Sequence, residues 1–204
     1  MVKKEKDSTT EQKILDAARK VFITKGMDGA RMQDIADEAG INKAMVHYYF
    51  RNKEQLFEMI FKDAFSRFVP KLNQLFESEM PLFEKIEAFT GNYIEMAIQN
   101  PYLPMFVLNE MNKQPELFFQ KMWGGHPPKI EKFVQQVEKE VKKGNIRSIS
   151  PSHLIIHMFS LCVFPFVGKP MIKMVMGLDE LQYRNLLLLR KKEVAKFIIE
   201  SIRK

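Results

Sequence analysis

The chain has 204 residues, of which 46% are hydrophobic and 28% charged, with 9 Gly and 10 Pro. That balance excludes a disordered or collagen-like polymer and allows one or two globular domains. A formal net charge of +7 permits a polyanionic partner without requiring one, and the single cysteine, Cys162, excludes an intrachain disulfide framework and fits a reducing compartment.

Residues 1–10 are polar and lack the apolar stretch of a secretory leader. The longest uncharged run, Leu154–Gly168, is broken by Pro165 and falls short of the ~20 residues that cross a bilayer. The expectation is therefore a soluble cytoplasmic protein with no membrane partner. Helical periodicity runs nearly throughout, so the fold class is all-α. A first helix starts near Thr10, buries Ile14, Ala17, Ala18, Val21 and Phe22 on one stripe, and stops at Lys25-Gly26. Short helices follow over about 31–39 and 43–50, and a fourth starts after Asn52. All ten prolines lie at or beyond Pro70, which predicts breaks between helices over about 71–78, 82–99, 103–112, 115–123, 127–143, 151–166 and 179–203. The expected domains are 1–53, a three-helix unit, and 54–204, a larger helical one.

The stretch 35–46 carries the most information. Ala36 and Ala39 are small enough for two helices to cross closely, and Gly40 can take the positive φ that a tight turn needs. Asn42 suits the N-cap of the next helix. Burying Ile41, Val46 and Phe50 leaves Lys43, Ala44, Met45, His47 and Tyr48 outward, a mixture suited to base edges in a major groove. Across residues 10–57, Ile14-Leu15-x-Ala17-Ala18, Phe22 with Gly26, Ile35-Ala36-x-x-Ala39-Gly40-Ile41 and Tyr49-Phe50-x-x-Lys53-x-x-Leu56 together resemble the N-terminal domain of the TetR family of bacterial transcriptional regulators.

The resemblance implies a helix-turn-helix whose recognition helix is Lys43–Tyr49, so that Lys43, Ala44, Met45, His47, Tyr48 and Tyr49 contact DNA, with Lys53 on a phosphate. It departs from the family at Ala30, which lacks a capping hydroxyl, at Arg31, a charge that can meet a phosphate, and at His47, where the family often has Tyr. Histidine there adds a pH sensitivity that tyrosine lacks.

Fifteen of seventeen Phe lie beyond residue 53, and Phe57, Phe61, Phe89 and Phe118 are among those that could wall an apolar cavity or simply fill a core. The resemblance implies that this half binds a small-molecule effector, with Met105, Phe106, Asn109 and Trp123 as candidate contacts. It also implies a homodimer through about 151–166 and 179–203, helices apolar on more than one face. His153 and His157 have metal-ligand spacing but no third ligand near in sequence, so neither a metal nor a cofactor is expected. No catalytic motif is present, and the competing class is an all-α enzyme or carrier that has lost DNA contact. The expected activity is that of a ligand-responsive transcriptional regulator, usually a repressor, on a pseudo-palindromic operator.

Overall fold

The structure, a computed structural model, describes residues 2–123 and 128–204, with side chains for 9–120 and 128–204. The described residues form eleven helices and no strand beyond an isolated antiparallel bridge between Ile146 and Arg203. They divide into two compact units: residues 1–66 with 100–103, and residues 67–99 with 104–204.

The first unit begins with α1 (Val2–Gly29), which starts well before the predicted cap near Thr10. Its apolar stripe of Ile14, Ala17, Ala18, Val21 and Phe22 is buried as its spacing predicts, and Gly26 interrupts the helix at φ +69°. α2 (Met32–Ala39) and α3 (Lys43–Tyr49) follow, then α4 (Lys53–Glu77). Leu56, Phe57, Ile60 and Phe61 of α4 are buried in this unit, so the boundary expected at residue 53 lies inside it. Phe57 and Phe61 fill this core. Phe22 and Phe57 meet edge-to-face at 5.2 Å, and Tyr102, from the returning 100–103 segment, lies 5.3 Å from Phe57 and 6.0 Å from Phe22. Burial pushes the Tyr102 phenol up to about 12, so it stays a neutral aromatic plug.

Pro70 does not break α4 as predicted. It deprives the Ser66 carbonyl of its helical donor, but both residues are exposed and water can replace the lost bond.

The second unit holds α5 (Leu82–Gln99), α7 (Pro115–Trp123), α8 (Glu131–Lys142), α9 (Pro151–Val167), α10 (Lys169–Met176) and α11 (Glu180–Ile202), with most of α6 (Leu103–Lys113). α5 packs along α11 and α9. Its Leu82, Ile86, Phe89, Tyr93, Ile94 and Ala97 recur at three- and four-residue steps and enter one core with Leu154, Met158 and Cys162 of α9. Lys85 is also buried. Its ammonium donates to the Phe76 carbonyl (3.2 Å) and to Gln136 Oε1 (2.7 Å), while the Gln136 amide donates to the Met80 carbonyl (2.9 Å). A buried cation is thus spent on closing the α4–α5 corner, and burial lowers its pKa.

Pro165 lies inside α9 and leaves the Leu161 carbonyl without its helical donor. Arg190 of α11 supplies one, its guanidinium donating to Leu161 O at 2.9 Å, and the Tyr183 hydroxyl donates to the Pro165 carbonyl. Arg190→Met is therefore expected to lower stability by about 1–3 kcal/mol, because it orphans a partly buried acceptor. Urea denaturation checks this; an unchanged midpoint would mean that water serves that carbonyl equally well.

α10 is not expected from the sequence. Gly168, Pro170 and Gly177 read as punctuation, yet a two-turn helix stands between them. The Asp179 side chain caps α11 by accepting from the Gln182 amide (2.7 Å), and Glu180 accepts from both Lys169 and Lys173 of α10. Those two ammonium groups hold the Glu180 carboxyl below its ordinary 4.5. A depressed folded pKa gives stabilisation that is complete above the unfolded value and lost as pH falls through the folded one. Thermal midpoints of the wild type and Glu180→Gln should accordingly differ at neutral pH and converge under acid.

Candidate nucleic-acid interface

α2 and α3 are joined by three residues whose chemistry fixes the turn. Gly40 takes φ +64°, ψ +35°, and the Ile41 amide donates back to the Ala36 carbonyl (3.1 Å). Asn42 Oδ1 accepts from the Met45 amide at 2.7 Å and starts α3. α2 packs on α1 and α3 on α2, and ion pairs Lys20–Glu38 and Lys25–Asp34, each 2.8 Å, brace α1 against α2.

Val46 is fully buried, Phe50 is buried and Ile41 is half-buried, which turns the rest of α3 outward. Lys43, Ala44, Met45, His47 and Tyr48 are all exposed, with Tyr48 at 79%, whereas Tyr49 is half-buried. Tyr48 and Tyr49 meet edge-to-face at 5.3 Å. The His47 Nδ1–H donates to the Arg51 carbonyl at 3.2 Å, which leaves Nε2 directed away from that bond. Arg31, exposed, is itself the residue that precedes α2, and its backbone amide donates to Asp34 Oδ2 (3.1 Å). Arg31 rather than the buried Ala30 holds the N-cap position, so a hydroxyl at residue 30 would not stand at the cap.

Lys53 departs from the sequence expectation. Its ammonium donates to the carbonyls of Met27 (2.9 Å), Asp28 (3.2 Å) and Ala30 (3.3 Å). It ties the start of α4 to the α1–α2 turn, where carbonyls freed by the break at Gly26 gather. Residue spacing signals a cation near the backbone of a ligand; it cannot signal acceptors more than twenty residues away. The α4 N-terminus is capped instead by Asn52, whose Oδ1 accepts from the Gln55 amide (2.9 Å).

Residues 14–60 match the family model described as bacterial regulatory proteins, tetR family. The helix-turn-helix segment is a TetR-family DNA-binding domain. RutR of Escherichia coli K12, an HTH-type transcriptional regulator, is 26% identical to it over 199 residues, covering 96% of this chain and 92% of RutR. IcaR of Staphylococcus aureus Newman, the negative transcriptional regulator of the biofilm operon icaADBC, is 28% identical over 135 residues, 65% of this chain and 68% of IcaR. FadR of Bacillus subtilis, solved in complex with stearoyl-CoA, shares the fold at 16% identity with a TM-score of 0.59, covering 94% of this chain and 99% of FadR. Like these regulators, the chain pairs a helix-turn-helix domain with a larger helical one.

The candidate effector contacts of α6 are not buried as a set. Positions 105, 106 and 109 share one arc of α6, but Met105, at 41%, and Asn109 are exposed while Phe106 at the edge of that arc is half-buried. The side chain of Trp123 lies outside the described residues. Sequence reasoning missed a groove on α4 lined by Pro70, Asn73, Gln74 and Lys129, the last paired to Glu77 at 3.4 Å. No helix among the described residues is by itself long and apolar enough to cross a membrane.

Proposed function

We propose that the protein is a dimeric, effector-responsive repressor that binds a pseudo-palindromic operator through α3. The observation that carries this is the two-sided character of α3. Val46 fixes one side in the core, and the other side offers Lys43, Ala44, Met45, His47 and Tyr48 to solvent with no acidic residue among them. An exposed methyl, a thioether, an imidazole and a phenol match the donors, acceptors and thymine methyls of a major groove, while Lys43 and Arg31 can meet phosphates. Two-fold symmetry would repeat the motif, with half-sites about one helical turn, or a small multiple, apart. Selection of binding sites from random duplexes tests the reading; a consensus with one unpaired half-site, bound by monomer, would overturn it.

The dimer is assigned to α9 and α11. Ile156 and Phe164 of α9, and Leu188, Leu189 and Phe197 of α11, are exposed although both helices are otherwise core elements. A second copy would cover them. The effector is proposed to be apolar or amphipathic, in keeping with the stearoyl-CoA held by FadR. It regulates only if it binds the DNA-incompetent state more tightly. Coupling of about 1–3 kcal/mol would weaken operator binding roughly 5- to 150-fold, and by reciprocity operator would weaken effector binding equally. Titrating stearoyl-CoA as a first probe, with and without operator, measures both sides of that cycle; equal affinities would separate ligand binding from regulation.

A further inference from the structure

α10 is mounted inside out. A surface helix ordinarily buries its apolar strip and turns its lysines to water. Here Ile172 packs against the core, and Lys169 and Lys173 turn onto Glu180 with side chains only 34% and 28% exposed. Lys169 also sits over the Tyr183 ring, 5.3 Å from its centroid. The apolar strip is left in solvent: Met171 is 52% exposed, Met174 80% and Val175 78%. Both ends of the helix are fixed. At Gly168 the chain bends by 71° from α9, where an added Cβ would come within 3.1 Å of Phe164, and Gly177 closes the helix at φ +64°.

We infer that α10 is a dimer clasp whose Met171–Met174–Val175 face packs against a second copy of this chain. This rests on the dimer proposed above and extends it to an element outside the two long helices. Charge selects the occupant. A nucleic acid or an anionic lipid surface needs free cations, and both lysines of α10 are already paired to Glu180. Insertion of α9 and α10 together into a bilayer is incompatible with Leu154, Met158 and Cys162 of α9 lying in the protein core. A neutral apolar strip repeated by a two-fold axis is self-complementary. It also continues an exposed apolar surface, since Phe164 precedes it and Leu181 follows it in the chain, at 52% and 69% exposure. Methionine suits such a contact because its unbranched thioether adapts to the surface it meets.

The test uses the full chain. Met174→Glu/Val175→Glu should raise the dimer dissociation constant in sedimentation equilibrium by about tenfold or more, with helicity unchanged by circular dichroism. A second variant needs no disruption of folding. Met174→Cys adds a thiol to a protein whose one native cysteine is buried and pushed up to about 12, so maleimide reports on position 174 alone. Labelling should slow several-fold when the protein concentration is raised through the dimer dissociation constant. A wild-type protein that stays monomeric would overturn the dimer reading and the clasp with it. An intact dimer that neither the double glutamate nor concentration-dependent labelling reveals at α10 would overturn the clasp alone. Co-sedimentation of wild type, but not the double variant, with phosphatidylserine vesicles would make α10 a membrane face and overturn it too.

Discussion

Replacing Phe57 with alanine is expected to lower the stability of the unit formed by residues 1–66 and 100–103 by about 3–5 kcal/mol. The ring is 1% exposed and packs in a three-ring cluster with Phe22 and Tyr102, so truncation leaves a cavity beside both. A loss of that size is a large share of the roughly 5–15 kcal/mol that holds a typical domain together. Operator binding should therefore fail at temperatures where the second unit remains helical. Native-state hydrogen exchange would show the loss as selective deprotection of α1 to α3, and Phe57→Leu should recover part of it. A loss below about 1 kcal/mol would mean that the site collapses around the smaller side chain.

The second large effect concerns operator choice. Tyr48→Ala and Met45→Ala should each alter the preferred bases, by about 1–3 kcal/mol per half-site position, since both side chains stand on the exposed face of α3. Lys43→Ala and Arg31→Ala should instead weaken binding to all duplexes alike. Each should also flatten the salt dependence by about one unit for every phosphate that a half-site no longer has neutralised. Lys53→Ala should differ from both groups. Its ammonium holds three carbonyls of the α1–α2 turn, so its removal should lower thermal stability along with DNA affinity. Selection from random duplexes with each variant, at two salt concentrations, separates the three behaviours. An unchanged consensus for Tyr48→Ala with uniformly weaker binding would move that residue to the phosphate group.

The recognition unit is legible because its determinants are local. Gly40 needs positive φ, Asn42 caps three residues ahead, and Val46 must be buried; together they fix the faces of a seven-residue helix. Elements that depend on distant partners are less legible. Pro70 reads as a break unless its wet side is known, and Lys53 reads as a phosphate ligand unless the carbonyls beyond Gly26 are in view. α10 hides behind Gly168, Pro170 and Gly177, and its orientation is decided by Glu180, which follows it in the chain. Burial along α6 is not legible either: only packing decides that Met105 and Asn109 are exposed while Phe106 is half-buried.

Tyr102 has a bearing on how such regulators can be recombined. The sequence order suggests that the reading head ends within α4 and can be cut off or grafted as a cassette. The core of that head is completed by Asn100–Leu103, which the ribosome adds only after the whole of α5. Nascent residues 1–66 would emerge with Phe22 and Phe57 still uncovered, and a chimera taking only those residues would inherit whatever its host supplies at the α5–α6 corner. Interchangeable parts in this protein are therefore defined by which aromatics share a core, and a transplant must carry Asn100–Leu103 along with the helix-turn-helix.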